Sequence, residues 1–104
     1  MILVVYIKKQ HVLYLKQVET SLKACGAMGL MGNKGGLLIQ FNLFGKQFAV
    51  LCVHLKAGAF KGRQRTEMMA KILKSVSHTD LEVDATADFT FIVGDMNYRF
   101  KTSY

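Results

Sequence analysis

The sequence contains no proline and no tryptophan, and only two cysteines among its 104 residues. Because no proline- or serine-rich linker, repeat or low-complexity stretch divides the chain, we expect one domain or part of one. Cys25 and Cys52 lie in apolar surroundings and lack the spacing of a metal site. We therefore expect two small buried thiols in a reducing compartment.

Long hydrophobic runs are also missing, although 51% of the residues are hydrophobic. No apolar stretch approaches the ~18–20 residues that a membrane-spanning helix needs. The apolar run at 2–7 follows Met1 directly, with no basic segment before it and no small-residue cleavage site after it. We interpret this run as a buried strand and not as a signal peptide.

Acidic residues are scarce over most of the chain, whose net charge is +7. Residues 1–78 contain twelve Lys and Arg but only two acids, whereas residues 79–104 contain five acids against Arg99 and Lys101. Such a basic body suits a polyanionic partner, which could be nucleic acid, an inositol phosphate or an anionic membrane. A solvated basic face without a partner explains the charge equally well.

Apolar periodicity predicts a mixed α/β fold with prominent antiparallel pairing. The expected elements are a short helix at 9–17, a weak strand at 18–25, a hairpin of strands 37–43 and 48–55, a helix at 64–76 and a buried strand at 89–93. A polar loop at 77–88 precedes the last strand. Since the first and last strands have no obvious partners, we expect the chain to be incomplete.

A glycine-rich segment at 26–36 surrounds Asn33 and Lys34. Glycines allow backbone N–H groups to approach a phosphate, and Lys34 would add a compact positive charge. The segment is not a P-loop, because the spacing to the lysine is wrong and no Ser or Thr follows it. A tight structural turn before a strand is the alternative interpretation.

Polar side chains follow two of the predicted strands. His54 ends the strand before a glycine-containing loop, a place where α/β enzymes position catalytic groups. After the last strand, Asp95 could orient or deprotonate a water, Asn97 could hold a phosphoryl oxygen, and Arg99 could clamp a phosphate with Tyr98 beside it. A structural histidine and a solvated turn are the alternatives.

Three motifs resemble those of the inositol polyphosphate 5-phosphatases in order and spacing. They are Gly-Asn-Lys-Gly-Gly at 32–36, His-Leu-Lys-Ala-Gly at 54–58 and Gly-Asp-Met-Asn-Tyr-Arg at 94–99. The resemblance covers nearly the whole chain. It departs from the family at Cys52-Val53, where Asn-Ser is usual, and at Met96, where Leu is usual.

The resemblance implies a partial four-layered α/β sandwich of the deoxyribonuclease I-like type. It also implies Mg²⁺-dependent hydrolysis of the 5-phosphate of a phosphoinositide or a soluble inositol polyphosphate. His54, Asp95 and Asn97 would be catalytic. The substrate-binding residues would be Asn33, Lys34, Tyr98 and Arg99.

The same resemblance implies that residues 1–104 form a single incomplete catalytic domain. The family's metal-binding Glu would lie before Met1, and its Asp-His pair would lie beyond Tyr104. We therefore expect no metal ligand in this chain and no activity from it alone. The expected partners are an inositol phosphate head group and an anionic membrane surface, contacted peripherally from the cytoplasm, and not nucleic acid.

Two other functions fit parts of the sequence. One is a catalytically dead module that binds a phosphoinositide or a partner protein without hydrolysis. The other is a nuclease of the same superfold, which the basic charge would favour. The Asn97-Tyr98-Arg99 triplet argues against the nuclease, because it resembles the phosphoinositide phosphatase signature.

Overall fold

The computed structural model describes residues 1–26, 33–76 and 87–99. The elements are a 3₁₀-helix at Lys9–Tyr14, strand β1 at Leu15–Ala24, β2 at Gly35–Leu43, β3 at Lys46–His54, helix α1 at Gly62–Val76 and strand β4 at Phe89–Asp95. The strands form one sheet in the order β1-β2-β3-β4. β1, β2 and β3 pair antiparallel, and β4 runs parallel to β3. The predicted mixed α/β fold is confirmed, whereas the parallel pair was not predicted.

The predicted hairpin is confirmed and is tighter than expected. β2 and β3 pair from Gly35 opposite His54 to Leu43 opposite Lys46. The two residues of the turn, Phe44 and Gly45, both have positive φ, at 55° and 77°. Two-residue turns of this kind match the right-handed twist of the strands they join.

Helix α1 covers one face of the sheet and forms the core there. Leu38 of β2 and Leu51 and Val53 of β3 are buried against Ile72 and Val76 of the helix. The predicted apolar helix face is therefore confirmed. At Gly36 a Cβ would overlap the Ile72 side chain, so this glycine allows the helix to approach the sheet closely.

The opposite face of the sheet is also apolar. Phe41 and Phe48 are cross-strand partners whose ring centroids lie 5.3 Å apart. The Phe48 and Phe89 rings stack at 5.0 Å across the parallel pair. Because side chains alternate along a strand, Phe91 and Val93 share this face, and they are 50% and 42% exposed. The prediction of a strand at 89–93 is thus correct, but its predicted burial is wrong.

The predicted strand at 2–7 is wrong. These residues form no strand, and Ile2 and Tyr6 are 84% and 91% exposed. An apolar run becomes a strand only when another strand satisfies its backbone N–H and C=O groups. In the described part of the chain, no strand pairs with this segment.

Two other predicted boundaries shift. The predicted helix at 9–17 is a 3₁₀-helix that ends at Tyr14, and the strand predicted from residue 18 begins at Leu15. An irregularity between Lys16 and Glu19, with Gln17 at a φ of 50°, interrupts its pairing with β2. Much of the predicted loop at 77–88 and part of the glycine-rich segment lie outside the described residues.

Asp88, the residue before β4, is hydrogen-bonded to the start of β3. Its carboxylate accepts a hydrogen bond from the Gln47 backbone N–H at 2.8 Å and one from Lys46 Nζ at 3.0 Å. These bonds stabilise the charged form and lower the pKa of Asp88 from its ordinary value. The stability they contribute is therefore present above the unfolded-state pKa and is lost as the pH falls through the lower folded-state pKa.

We predict that Asp88→Asn is less stable than the unaltered chain at pH 7, and that the difference shrinks as the pH falls below about 4. The reason is that protonation removes the same charge that the substitution removes. Urea unfolding midpoints measured across that range test this. Glu67→Gln, which removes an exposed carboxylate bonded to Arg63, is the matched control. A difference at Asp88 that stays constant with pH would contradict the prediction.

Candidate active site at two strand ends

The parallel pairing of β3 and β4 places two predicted catalytic residues side by side. His54 is the register partner of Asp95, and the Leu55 N–H donates to the Asp95 carbonyl at 2.9 Å. His54 Nε2 lies 3.7 Å from Asp95 Oδ2. The side chains are 34% and 63% exposed, so a ligand can reach both. Carboxyl ends of parallel strands share one edge of a sheet, which explains the juxtaposition.

Lys34 joins this pair from the start of β2. Its neighbour Gly35 is the cross-strand partner of His54, so the lysine lies at the same end of the sheet. Lys34 Nζ is in hydrogen-bond contact with His54 Nε2. An ammonium can only donate, so Nε2 accepts in this contact, whereas pairing with Asp95 requires a proton on Nε2. Lys34 and Asp95 therefore favour opposite protonation states of one ring nitrogen.

Asn97 connects the segments that follow the two strands. Its backbone N–H donates to Asp95 Oδ1 at 3.0 Å, and its Nδ2 donates to the Leu55 carbonyl at 3.0 Å. The residue has a φ of 54°, in the left-handed region that asparagine tolerates. Asn97 therefore lies with His54 and Asp95, and one of its two amide hydrogens is used by the backbone.

Gly94 allows the two strand ends to meet. Its φ is 111°, and a Cβ there would overlap the Val53 carbonyl oxygen of β3. Both the conformation and the close approach require glycine.

We predict that Gly94→Ala destabilises the chain by about 3 kcal/mol or more, because it adds a backbone clash to the strain of a positive φ. Gly45→Ala is the matched control, since its φ is 77° but no atom lies within 4 Å of a built Cβ. The control should cost about 1–2 kcal/mol, the strain alone. Denaturant unfolding measures both values, and equal losses would contradict the role of Gly94.

Tyr98, a predicted substrate-binding residue, lies against helix α1. Its hydroxyl is 3.4 Å from Thr66 Oγ1, and its ring centroid is 5.5 Å from the guanidinium carbon of Arg65. Arg65 is only 3% exposed. Its Nη1 donates to the carbonyls of Lys56 and Gly58 at 3.2 and 3.0 Å. One buried guanidinium therefore links the helix, the loop after His54 and the segment after Asp95.

Arg65 is the site residue that the sequence interpretation missed. A signal was present, because Arg65 precedes Met68, Met69, Ile72 and Val76 at the spacing of the apolar helix face. A charge on that stripe must find polar partners inside the protein.

We predict that Arg65→Met destabilises the chain by about 1–3 kcal/mol, because two loop carbonyls lose their donor. Loss of the buried charge offsets part of that cost. Arg63→Met, two residues earlier at a side chain that is 92% exposed, should change stability by at most about 0.5 kcal/mol. Thermal unfolding of the two variants provides the comparison, and equal stability of both would contradict the role of Arg65.

The predicted substrate-binding residues Asn33 and Lys34 line a cleft of about 530 Å³, together with Lys56 and Ala57. Asn33 and Lys56 are exposed, and Lys34 is half-buried. Arg99 is exposed at the last described position. The structure thus brings Lys34 to His54 and Asp95, while Tyr98 packs on the helix.

The described ranges contain no group of three or more His, Cys, Asp and Glu residues that could hold a metal ion. At the strand ends the carboxylate is that of Asp95. Mg²⁺ binds through oxygen ligands and commonly uses one or two carboxylates with waters and substrate phosphates. The described residues therefore do not form a metal site by themselves. In the same ranges, no helix has the length and hydropathy needed to cross a membrane.

Residues 1–104 match the family model described as "Endonuclease/Exonuclease/phosphatase family 2". The chain belongs to this family. It is 32% identical over 101 residues to polyphosphatidylinositol phosphatase INP53 of Saccharomyces cerevisiae, covering 97% of this chain and 9% of the yeast protein. It is 31% identical over 103 residues to mouse inositol polyphosphate 5-phosphatase K, covering 97% of this chain and 22% of the mouse protein.

Two solved structures share the fold. The inositol polyphosphate 5-phosphatase domain of SPsynaptojanin, in complex with inositol (1,4)-bisphosphate and calcium ion, matches with a TM-score of 0.77 and 25% identity. That match covers 92% of this chain and 27% of the synaptojanin chain. A humanized D. rerio TDP2 matches with a TM-score of 0.56 and 19% identity over 84% of this chain and 35% of that one. The predicted deoxyribonuclease I-like fold class is confirmed, and the resemblance to 5-phosphatases is confirmed by the named relatives.

Proposed function

We propose that residues 1–104 form part of an inositol polyphosphate 5-phosphatase domain, incomplete by itself, that binds the phosphates of an inositol polyphosphate head group. In the whole protein the reaction would be hydrolysis of the 5-phosphate ester of a phosphoinositide or a soluble inositol polyphosphate. The observation that carries the proposal is that Lys34 and Asp95 both lie against His54 Nε2 at the strand ends. The relatives named as 5-phosphatases support the substrate class.

The chemistry follows from the groups at the strand ends. A phosphate oxygen between Lys34 and His54 would accept a hydrogen bond from each of them. His54 would then carry its Nε2 proton toward the phosphate, so Lys34 and Asp95 would no longer require opposite protonation states of that nitrogen. Asp95 would orient the attacking water and accept its proton. The water oxygen would bond to phosphorus while the bond from phosphorus to the inositol oxygen breaks. The inositol oxygen would take up a proton, equal to the one that the water loses, so the products are inorganic phosphate and an inositol hydroxyl. Asn97 would hold a phosphoryl oxygen with its remaining amide hydrogen.

The cleft lined by Asn33, Lys34, Lys56 and Ala57, which we name the phosphate cleft, would bind the other ring phosphates. Asn33 and Lys34 line it, and we assign Tyr98 and Arg99 to the same recognition. Arg65 would hold Tyr98 in place through the ring contact at 5.5 Å. Such positioning matters because small displacements of binding groups weaken catalysis strongly.

The metal requirement belongs to the whole domain in this proposal. Mg²⁺ would neutralise charge on the phosphoryl oxygens, and its protein ligands would come from parts of the domain outside residues 1–104. The calcium ion in the synaptojanin structure supports a divalent cation in the family. We also propose a cytoplasmic protein that contacts membranes peripherally, which the net charge of +7 and the free thiols of Cys25 and Cys52 support.

A second function is favoured by the shortage of carboxylates in the described residues, which form no metal-binding group. The chain would then bind an inositol phosphate head group without hydrolysing it. Phosphate release from a soluble inositol trisphosphate in the presence of Mg²⁺ separates the two functions. Release that Asp95→Ala abolishes would eliminate the binding-only function.

We predict that the chain binds inositol 1,4,5-trisphosphate and that Lys34→Met and His54→Ala each weaken binding roughly thirtyfold. The expected loss is about 2 kcal/mol, since each variant removes a charge-assisted hydrogen bond to phosphate. Isothermal titration calorimetry measures the affinities. Lys9→Met, at an exposed lysine of the 3₁₀-helix, is the matched control and should leave the affinity unchanged.

Circular dichroism must first show that each variant is folded. If the folded chain does not bind the trisphosphate, or if Lys9→Met weakens binding as much as Lys34→Met, the proposed function is contradicted.

A further inference from the structure

A second basic groove lies beside the phosphate cleft and has no part in the proposed hydrolysis. Its volume is about 460 Å³, and its lining includes Lys23, Lys56 and Lys71. Lys23 comes from β1, Lys71 from α1, and Lys56 from the loop after β3. We call it the lysine groove. Three elements of the fold converge to place these cations on one concave surface.

The charge of the lysine groove is not neutralised within it. Glu67 also lines the groove, but its Oε1 accepts a hydrogen bond from Arg63 Nε at 2.9 Å. Among the residues that the structure describes, the ion pairs involve Lys46, His54 and Arg63 and none of the three groove lysines. Counting the described residues, the groove therefore carries more positive than negative charge.

The lysine groove is continuous with the phosphate cleft. Both are lined by Cys25, Gly26, Lys56 and Met68. A head group in the cleft and an anion in the groove would therefore lie next to each other on one surface of the protein. The chemistry of the lining also indicates the ligand. Lysines are flexible point charges without the fixed fork of arginine, so they suit several mobile anionic groups better than one phosphate in a fixed orientation.

We propose that the lysine groove binds the head groups of anionic phospholipids other than the substrate and so holds the chain against an anionic membrane while the phosphate cleft faces its head group. The setting rests on the proposed function, although lipid binding by the groove does not require hydrolysis. An anionic membrane offers many phosphates at lateral spacings that adjust to the lysines. Each lysine near such a surface strengthens binding by about fivefold.

Vesicle co-sedimentation tests the proposal. The vesicles are phosphatidylcholine with phosphatidylserine and contain no phosphoinositide, so the substrate is absent. The test variant is Lys23→Gln with Lys71→Gln, which spares Lys56 because that residue also lines the phosphate cleft. The matched control is Lys16→Gln with Lys74→Gln, which removes the same charge from the same two elements, β1 and α1, at exposed positions outside the groove lining.

The groove variant should bind these vesicles about 25-fold more weakly than the unaltered chain, and the control variant less than about threefold more weakly. Equal losses in the two variants would overturn the proposal, because the attraction would then depend on net charge alone. No loss in the groove variant would overturn it too. If the groove variant loses binding to a single-stranded oligonucleotide but keeps its vesicle binding, the groove would be assigned to nucleic acid. This outcome would also overturn the proposal.

Calorimetry with soluble inositol 1,4,5-trisphosphate separates this proposal from the proposed function. The groove variant should retain the affinity of the unaltered chain for the soluble trisphosphate, which shows that it is folded and that the phosphate cleft is intact. If the unaltered chain binds phosphatidylserine vesicles through the groove but does not bind the trisphosphate, the proposed function fails and the groove proposal stands.

Discussion

The parallel ladder between β3 and β4 is the constraint on which the candidate site depends. It puts His54 opposite Asp95 and continues one step further through the hydrogen bond from Leu55 N–H to the Asp95 carbonyl. Gly94 permits this approach, because any side chain there would overlap the Val53 carbonyl oxygen. A slip of the register by one residue would turn the carboxylate to the other face of the sheet. Backbone pairing between β3 and β4 therefore sets the geometry of the site, and side-chain contacts add to it.

Side chains then fix the segments that leave the two strands. Asn97 joins them directly through the Asp95 carboxylate and the Leu55 carbonyl. Arg65 of helix α1 contacts both segments, through hydrogen bonds to two loop carbonyls and through the Tyr98 ring. Among the described residues Arg65 forms no ion pair with a carboxylate, and burial of such a charge is costly. Its hydrogen bonds to the loop after His54 and its ring contact with Tyr98 therefore indicate a positioning role. Asn97 and Arg65 thus hold the segments that follow His54 and Asp95.

The sequence predicted those parts of the fold that local pattern determines. The hairpin of β2 and β3, the apolar face of α1 and the strand before Asp95 have periodicities that their own residues display. The segment at 2–7 could not be predicted in this way, because a strand needs a partner strand elsewhere in the fold. The burial of Phe91 and Val93 could not be predicted either, because it depends on what covers that face of the sheet. The motifs identified His54, Asp95 and Asn97, and the structure brings them together. Arg65 was missed because a lone arginine in an amphipathic helix is usually exposed. The parallel direction of β4 was missed because it depends on how the chain crosses over between β3 and β4 and not on local pattern.

We infer that two parallel strand ends form a single phosphate-binding site, and a crystal structure of the chain with inositol 1,4,5-trisphosphate would decide this. We expect β4 paired parallel to β3 with His54 opposite Asp95, and the 5-phosphate within hydrogen-bond distance of both Lys34 Nζ and His54 Nε2. A trisphosphate bound elsewhere on the chain, or a β4 paired in another direction or register, would contradict this inference.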